Sequence, residues 1–155
     1  METIYNWRGR KVLSKVPLPK KKGEYLYFIS FPDERTETKK LVKIGTTNDI
    51  LRRMKEHQKY YNTTVLIEWI SPAYSKWTTL RIEDKMKQFW IEKNLGEWIR
   101  NDRFLIDKEV KNITITVRKD YTFEIEWFFT QSLFYLSKID KFYFLLTKVK
   151  YCDII

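Results

Sequence analysis

The pattern of apolar and polar positions predicts three strands in the first half of the chain. Residues 25–31 (YLYFISF) and 41–44 (LVKI) are short apolar runs rich in residue types that favour strands. The segment 32–40 between them is charged and lacks apolar side chains, which predicts a hairpin loop. Residues 65–70 (VLIEWI) form a third such run, and Pro72 breaks the chain after it.

A helix is predicted from Asn48, a favourable N-cap residue, to about Tyr60. Its apolar stripe consists of three residues at helical spacing, Ile50, Met54 and Tyr61. Arg53 and His57 are four residues apart in this segment. They therefore lie on the same side of the predicted helix.

A second helix is predicted from about residue 76 to residue 93, with Gly96 as its C-cap. Its apolar stripe consists of Ile82, Met86, Phe89 and Trp90. Glu83 lies at the margin of this stripe, whereas Asp84 and Lys87 lie on the exposed side. A carboxylate at such a margin is either paired with a nearby Arg or Lys, or acts as a metal ligand or catalytic acid. The helical pattern leaves both interpretations open.

The C-terminal third begins with two alternating strands, residues 113–119 and 122–127, around a turn at Lys119 and Asp120. Residues 128–155 are rich in aromatic side chains, and their apolar runs fit a helix or a strand equally well. This segment is predicted either to cover the core or to form a dimer interface.

The charge balance adds a polyanionic partner to the prediction of a packed α+β protein. Lys and Arg outnumber Asp and Glu by 30 to 20, giving a net charge of +10 over 155 residues. Nucleic acid is the commonest partner of such a protein, and the alternative is that the lysines only keep it soluble. Residues 1–22 are predicted to be a basic arm, either solvated or in contact with phosphates, that ends in Pro17, Pro19, Lys20, Lys21 and Lys22.

Several classes of function are disfavoured by what the sequence lacks. It has no glycine-rich phosphate loop, and its one histidine is too few for a His-based zinc cluster. The single cysteine, Cys152, cannot form an internal disulfide. With no signal-peptide pattern and no apolar run of membrane length, we expect a cytoplasmic protein that does not contact a membrane.

The order of the polar residues resembles that of the GIY-YIG nuclease superfamily. The motif Gly-Ile-Tyr corresponds to Tyr25-Leu26-Tyr27, and the motif Tyr-Ile-Gly corresponds to Lys43-Ile44-Gly45. The helical Arg-x-x-x-His and the later glutamate correspond to Arg53, His57 and Glu83. The second motif reads Lys-Ile-Gly here, and in this respect the chain resembles the phage- and virus-associated branch of the superfamily. The family's asparagine corresponds to Asn94 or to Asn101.

The resemblance implies an α+β fold with a small central antiparallel three-stranded sheet flanked by helices. The nuclease-like domain would cover residues 23–107, after the basic arm 1–22. Residues 108–155 would be a C-terminal extension, containing the β-hairpin and the aromatic segment, that serves as a partner, specificity or dimer surface.

The resemblance also implies a metal-dependent endonuclease that hydrolyses phosphodiester bonds in DNA, with RNA not excluded. Glu83 would hold Mg²⁺ or Mn²⁺, and Arg53 would bind the scissile phosphate. Tyr27 would be the general base or would orient the water, with its phenol acidified by Lys43 across the hairpin. His57 would assist in proton transfer or phosphate binding, and Asn94 completes the catalytic set. Further contacts to nucleic acid are predicted for Lys20, Lys21, Lys22, Arg52 and Lys55.

A second interpretation belongs to another class of protein. The chain could keep the fold and bind nucleic acid without cutting it. A viral or mobile-element origin suits the branch that the motifs resemble. If the protein cuts both strands, a homodimer through the aromatic segment would bring two active sites together.

Overall fold

A computed structural model of the protein describes residues 3–7, 10–35, 38–93, 97–99 and 103–129. Within these residues the chain forms nine strands and two helices. In chain order they are β1 Thr3–Trp7, β2 Arg10–Ser14, β3 Tyr25–Arg35, β4 Lys39–Thr47, α1 Ile50–Tyr61, β5 Val65–Ile70, α2 Lys76–Lys93, β6 Glu97–Ile99, β7 Arg103–Asp107, β8 Val110–Val117 and β9 Phe123–Phe129. No helix in this described part is long and apolar enough to cross a membrane.

The α+β class is confirmed, but the predicted three-stranded sheet is too small. The main sheet has seven strands in the order β1-β2-β5-β3-β4-β7-β6. Its centre, β5-β3-β4, is antiparallel as expected. β2 extends it on one side by pairing in parallel with β5, and β7 extends it on the other by pairing with β4. These two added pairings join segments that are far apart in sequence, so no local sequence pattern predicts them.

The β3-β4 hairpin is longer than its apolar pattern indicates. β3 continues to Arg35 and β4 already begins at Lys39, so the prediction of a loop over residues 32–40 is wrong. A shift of register between Phe31 and Arg35 interrupts the ladder. Backbone hydrogen bonds hold strands together whatever the side chains are, so a ladder can continue past the end of the core.

The two helices lie close to their predicted bounds. α2 spans Lys76–Lys93 as predicted. α1 begins one residue later than predicted, because its N-cap is Asp49 and not Asn48. The Asp49 carboxylate accepts a hydrogen bond from the backbone N–H of Arg52 at 3.2 Å. Asn62 ends the helix in the left-handed region, with a φ of 54°. The predicted C-cap Gly96 lies outside the described residues.

The sheet is covered on both faces, which explains why β3 is almost continuously apolar. On one face, Tyr27 and its neighbours two residues away pack with Ile50 and Met54 of α1. On the other face, Leu26 and Phe28 pack with α2 and with the β8-β9 hairpin. Alternation along β3 therefore sends Tyr27 to the α1 side of the sheet.

The N-terminal residues and the β8-β9 hairpin are both held to the main sheet by hydrogen bonds. Residues 3–7 and 10–14 of the predicted basic arm form the β1-β2 hairpin at the sheet edge. The buried carboxylate of Glu68 accepts hydrogen bonds from Lys15 Nζ at 2.7 Å and Ser30 Oγ at 3.1 Å. Lys15 Nζ also donates to the carbonyl of Lys111 in β8 at 2.6 Å. The boundary at residue 107 stays a prediction, although β8 and β9 share a core with α2.

Candidate active site

The ring of Tyr27 lies over Gly45. The two residues are direct partners in the β3-β4 register, and a Cβ at Gly45 would overlap the Tyr27 hydroxyl and lie 3.0 Å from its Cε1. Tyr27 itself is only 1% exposed. The prediction that Lys43 faces Tyr27 across the hairpin is wrong, because Lys43 is paired with Ile29. The glycine is therefore the residue whose lack of a side chain makes room for the phenol.

Tyr27 is hydrogen-bonded to the buried His57 of α1. The Tyr27 hydroxyl oxygen and His57 Nε2 are 2.7 Å apart. The imidazole is stacked on the Tyr61 ring, with centroids 5.9 Å apart and an angle of 28° between the planes. The guanidinium carbon of Arg103 lies 4.5 Å from the centre of the same Tyr61 ring. The Tyr27–His57 pair is therefore surrounded by aromatic and cationic side chains.

Both members of this pair are neutral at pH 7. Burial raises the pKa of Tyr27 from 10.0 to about 12; the charge of Glu83 adds to the rise, and Arg53 opposes it. Burial also lowers the pKa of His57 from 6.5 to about 3, helped by the positive charges of Lys43 and Arg53. The predicted acidification of the Tyr27 phenol is therefore wrong, since desolvation of the buried ring dominates.

Arg53 and Lys43 border a groove beside this pair, which we call the α1 groove. The groove has a volume of about 650 Å³ and is lined by Lys43, Arg53, Glu56, His57, Lys59, Tyr60 and Tyr61. The Arg53 side chain is 42% exposed, and its terminal nitrogen donates to Glu56 at 3.0 Å. Its Nε is buried and has no hydrogen-bond partner in the described part of the chain. Three cationic side chains against one carboxylate make the groove suitable for an anion.

Glu83 of α2 carries a negative charge that acts on the same phenol, and its carboxylate is already paired. Its carboxylate accepts a hydrogen bond from Lys87 Nζ at 2.9 Å, and the two side chains are only 15% and 18% exposed. The prediction that Lys87 is exposed is wrong, because the lysine folds back along the helix onto Glu83. Of the two interpretations of Glu83, the ion pair is thus present in the structure.

A single carboxylate at Glu83 suits only a divalent ion that needs few protein ligands. Within the described residues no group of three or more His, Cys, Asp or Glu side chains could enclose a metal. Mg²⁺ needs no such cage, because it keeps several waters and binds one or two carboxylates together with substrate phosphates. Glu83 offers one such carboxylate, which is largely buried and paired with Lys87.

The predicted nucleic-acid contacts divide between two surfaces. Lys20, Lys21, Lys22 and Arg52 line a second concavity of about 1000 Å³ at the N-terminal end of α1, together with Lys76. Lys55 lies outside it, on a smaller depression of about 400 Å³ with Lys59. Asn94 and Asn101 lie outside the described residues. The structure thus brings Lys43, Arg53 and His57 together at the α1 groove beside Tyr27, with Glu83 acting on the phenol.

Sequence reasoning missed three residues of this site. Tyr61 is assigned to the apolar stripe, yet its ring supports His57. Tyr60 is 73% exposed on the groove, and Arg103 in β7 lies opposite Lys43 in the β4-β7 register. The stripe itself could have signalled Tyr61, because it follows His57 by four residues. Nothing local signals Arg103, whose place depends on pairing between distant strands.

The fold and site define an α+β domain with a buried tyrosine–histidine pair beside a cationic groove. The chain matches the T5orf172 domain over residues 24–131, more than half of its length, and therefore belongs to that family. This is a phage-associated domain often described as GIY-YIG-like or nuclease-related. The match continues through β8 and β9. No curated protein and no solved structure matches the chain significantly.

The neutral state of His57 gives a prediction for the free protein. His57 is the single histidine, so its imidazole NMR signals are unique. We expect no titration between pH 5 and pH 8, because the folded pKa is about 3. The unfolded chain binds a proton near pH 6.5, so the free energy of unfolding should fall by up to about 1.4 kcal/mol for each pH unit between pH 6.5 and pH 3.

His57→Gln is the matched variant for this titration. It should lose the part of the acid sensitivity that comes from the imidazole, as measured by urea unfolding at pH 4.5 and pH 7. An imidazole that titrates near pH 6.5 in the folded protein would contradict the buried, neutral pair.

Proposed function

We propose that the protein is a metal-dependent endonuclease of the GIY-YIG type that hydrolyses phosphodiester bonds in DNA. The observation that carries this proposal is the hydrogen bond between Tyr27 and His57 beside Arg53 on the α1 groove, and the charge of Glu83 also raises the pKa of the phenol. Membership of the T5orf172 family supports the same class of function. Each of these residues has an ordinary structural role when taken alone, and only their common location argues for chemistry.

Arg53 is suited to bind the scissile phosphate. Its side chain opens into the α1 groove, where Lys43 and Lys59 also contribute positive charge. A guanidinium offers a planar pair of N–H donors that matches two phosphoryl oxygens. Charge that develops on the phosphoryl oxygens would be stabilised there.

Tyr27 and His57 are suited to move a proton. With the ring proton of His57 on Nδ1, Nε2 accepts a hydrogen bond from the Tyr27 hydroxyl. The phenol oxygen could then take a proton from the attacking water while passing its own proton to Nε2. A phosphate bound by Lys43 and Arg53 would offset the two positive charges that lower the pKa of His57. Substrate binding would therefore make His57 a stronger base.

Glu83 is the residue that would hold the divalent ion, as Mg²⁺ or Mn²⁺. When bound, such an ion lowers the pKa of a coordinated water and offsets charge on the phosphate. Its binding requires the Glu83 carboxylate to exchange Lys87 for the metal. The two side chains are only 15% and 18% exposed, so this exchange would be driven by the ion together with the substrate phosphate.

The path of the DNA is proposed to include the concavity beside α1. Lys20, Lys21, Lys22 and Arg52 line it, and Lys55 lies on the adjoining surface. The proposal also includes a homodimer through residues 128–155 for cutting of both strands, and action in the cytoplasm in a viral or mobile-element setting.

A binding protein without catalytic activity is the second candidate function. It is favoured by the ion pair between Glu83 and Lys87, which occupies the carboxylate that would hold the metal. Such a protein would use the same cationic groove and the same basic concavity for DNA.

Plasmid cleavage separates the two candidates. The wild-type protein is expected to nick or linearise supercoiled plasmid in Mg²⁺ or Mn²⁺, and EDTA should stop the reaction. Arg53→Ala should reduce the cutting rate by about a hundredfold or more, since a transition-state donor is lost. Arg81→Ala is the matched control, because Arg81 is an exposed arginine of α2 away from the α1 groove. If the wild type only shifts the plasmid in gels, the endonuclease proposal fails.

A further inference from the structure

The α1 groove is lined in part by an exposed aromatic ring, that of Tyr60, which the proposed chemistry does not use. Tyr60 is 73% exposed and lines the groove together with Arg53 and His57. An aromatic side chain this exposed gains little from packing within its own protein. Beside a cationic groove, it offers an apolar surface where a polyanion would pass.

The Tyr60 ring is backed by a rigid cluster. It meets the Tyr61 ring almost at right angles, at 82°, with centroids 4.8 Å apart. Tyr61 in turn contacts Phe31 edge to face, with centroids 5.1 Å apart, and is stacked on His57. Because Tyr61 is held on several sides, Tyr60 is positioned without being buried. Binding a planar group on it would therefore order few side-chain rotamers.

Tyr60 is in line with the residues proposed to bind and process the phosphate. Arg53, His57 and Tyr60 follow one another at spacings of four and three residues, so they share one side of α1. Seven residues of helix place Tyr60 about 10 Å from Arg53 along the axis. A strand whose phosphate is bound by Arg53 can thus bring a neighbouring nucleotide to the Tyr60 ring.

We propose that Tyr60 is a stacking platform for an unpaired base next to the scissile phosphate. In a continuous duplex both faces of each base are covered by its neighbours, so a protein ring can stack only on an unpaired or extruded base. The preferred substrate is then DNA with an unpaired nucleotide beside the cleavage position. This inference rests on the proposed function, because it names the substrate of the same groove.

Two DNA substrates test this inference, a duplex and the same duplex with one unpaired nucleotide at the cut position. Base–aromatic stacking contributes about 1–3 kcal/mol, so Tyr60→Ala should lower kcat/KM on the unpaired substrate by about tenfold to a hundredfold. The loss on the continuous duplex should be much smaller, and Tyr60→Phe should keep the preference. Trp77→Ala is the matched control, as Trp77 is 75% exposed on α2.

A fluorescent base analogue, 2-aminopurine, at the unpaired position separates this inference from the endonuclease proposal. The wild type should quench its fluorescence by stacking, and Tyr60→Ala should not, whether or not the DNA is cut. Equal losses of kcat/KM on both substrates, or equal quenching by wild type and Tyr60→Ala, would overturn the platform. If the wild type cuts neither substrate, the endonuclease proposal fails and the quenching result alone decides the role of Tyr60.

Discussion

Glu83→Gln is expected to reduce DNA cutting by about a thousandfold and to leave plasmid binding within about threefold of the wild type. Glutamine keeps the size and shape of the side chain but removes the negative charge that would hold a divalent ion. A thousandfold loss corresponds to about 4 kcal/mol of transition-state stabilisation, which is within what a metal ion supplies. Single-turnover cleavage in saturating Mg²⁺ and gel-shift titration measure the two quantities separately.

Lys87→Gln is the control that distinguishes a metal ligand from a structural ion pair. Both Glu83→Gln and Lys87→Gln remove the ionic part of the same 2.9 Å contact between largely buried side chains, so each should lower the free energy of unfolding by about 1–3 kcal/mol. Only Glu83→Gln should lose activity. If the two variants lose activity equally, Glu83 acts through the ion pair and the proposed metal site is wrong.

Metal binding gives a readout that does not depend on cleavage. Mn²⁺ titrated into the wild type in the presence of DNA should show bound ion by electron paramagnetic resonance, and Glu83→Gln should weaken that binding at least tenfold. Lys87→Gln should bind Mn²⁺ as tightly as the wild type or more tightly, because the competing ammonium group is gone. Unchanged Mn²⁺ affinity in Glu83→Gln would contradict the ligand role.

The regular elements are predictable where each carries its own pattern. α2 over Lys76–Lys93 and β5 over Val65–Ile70 match their predicted bounds, because a helical or strand period there is flanked by clear breaks at Asn62 and Pro72. β2 and the outer half of the β3-β4 hairpin escape prediction because they lie in charged segments, whereas β1 is uncharged but lies within the predicted basic arm. These segments are held by backbone pairing, within the two hairpins and between β2 and the distant β5, which side-chain polarity does not encode.

The candidate site is predictable as a set of residues but not as a geometry. Tyr27, Arg53, His57 and Glu83 are all named by the motif order. In the structure His57 is hydrogen-bonded to the Tyr27 phenol, and the charges of Arg53 and Glu83 affect its pKa. The partner of Tyr27 depends on the register of β3 against β4, and a shift of two residues exchanges Gly45 for Lys43. Register is determined by the whole sheet, so either pairing suits the two strands considered separately.

The ionisation of the site also depends on the fold. A lysine near a tyrosine suggests an acidified phenol when only the two residue types are considered. Burial of the Tyr27 ring reverses that expectation and raises its pKa to about 12. The degree of burial comes from α1 and its core residues Ile50 and Met54, which no motif contains. A motif therefore identifies the candidate groups, whereas their proton affinities follow from the packing around them.

Gly45→Ala is expected to destabilise the protein by about 3 kcal/mol or more. The added Cβ would overlap the hydroxyl of Tyr27 and lie 3.0 Å from its Cε1. The ring is buried and hydrogen-bonded to His57, so it cannot turn aside without breaking that bond or moving α1. Overpacking of a core typically costs about 1–3 kcal/mol, and a rigid ring places this site at the upper end. Thermal unfolding should show a Tm about 6–12 °C lower.

A double-mutant cycle isolates the Gly45–Tyr27 contact from other effects of alanine in a strand. Tyr27→Leu removes the ring that the new methyl group would meet, so adding Gly45→Ala to Tyr27→Leu should cost about 1 kcal/mol or less. The two substitutions are thus expected to show a coupling energy of about 2 kcal/mol, measured by urea unfolding. A Gly45→Ala protein with wild-type stability and wild-type cutting would show that the phenol does not need the space over this glycine. In that case the site geometry built on the Tyr27–His57 pair would have to be revised, since the glycine of the second motif would serve neither packing nor catalysis.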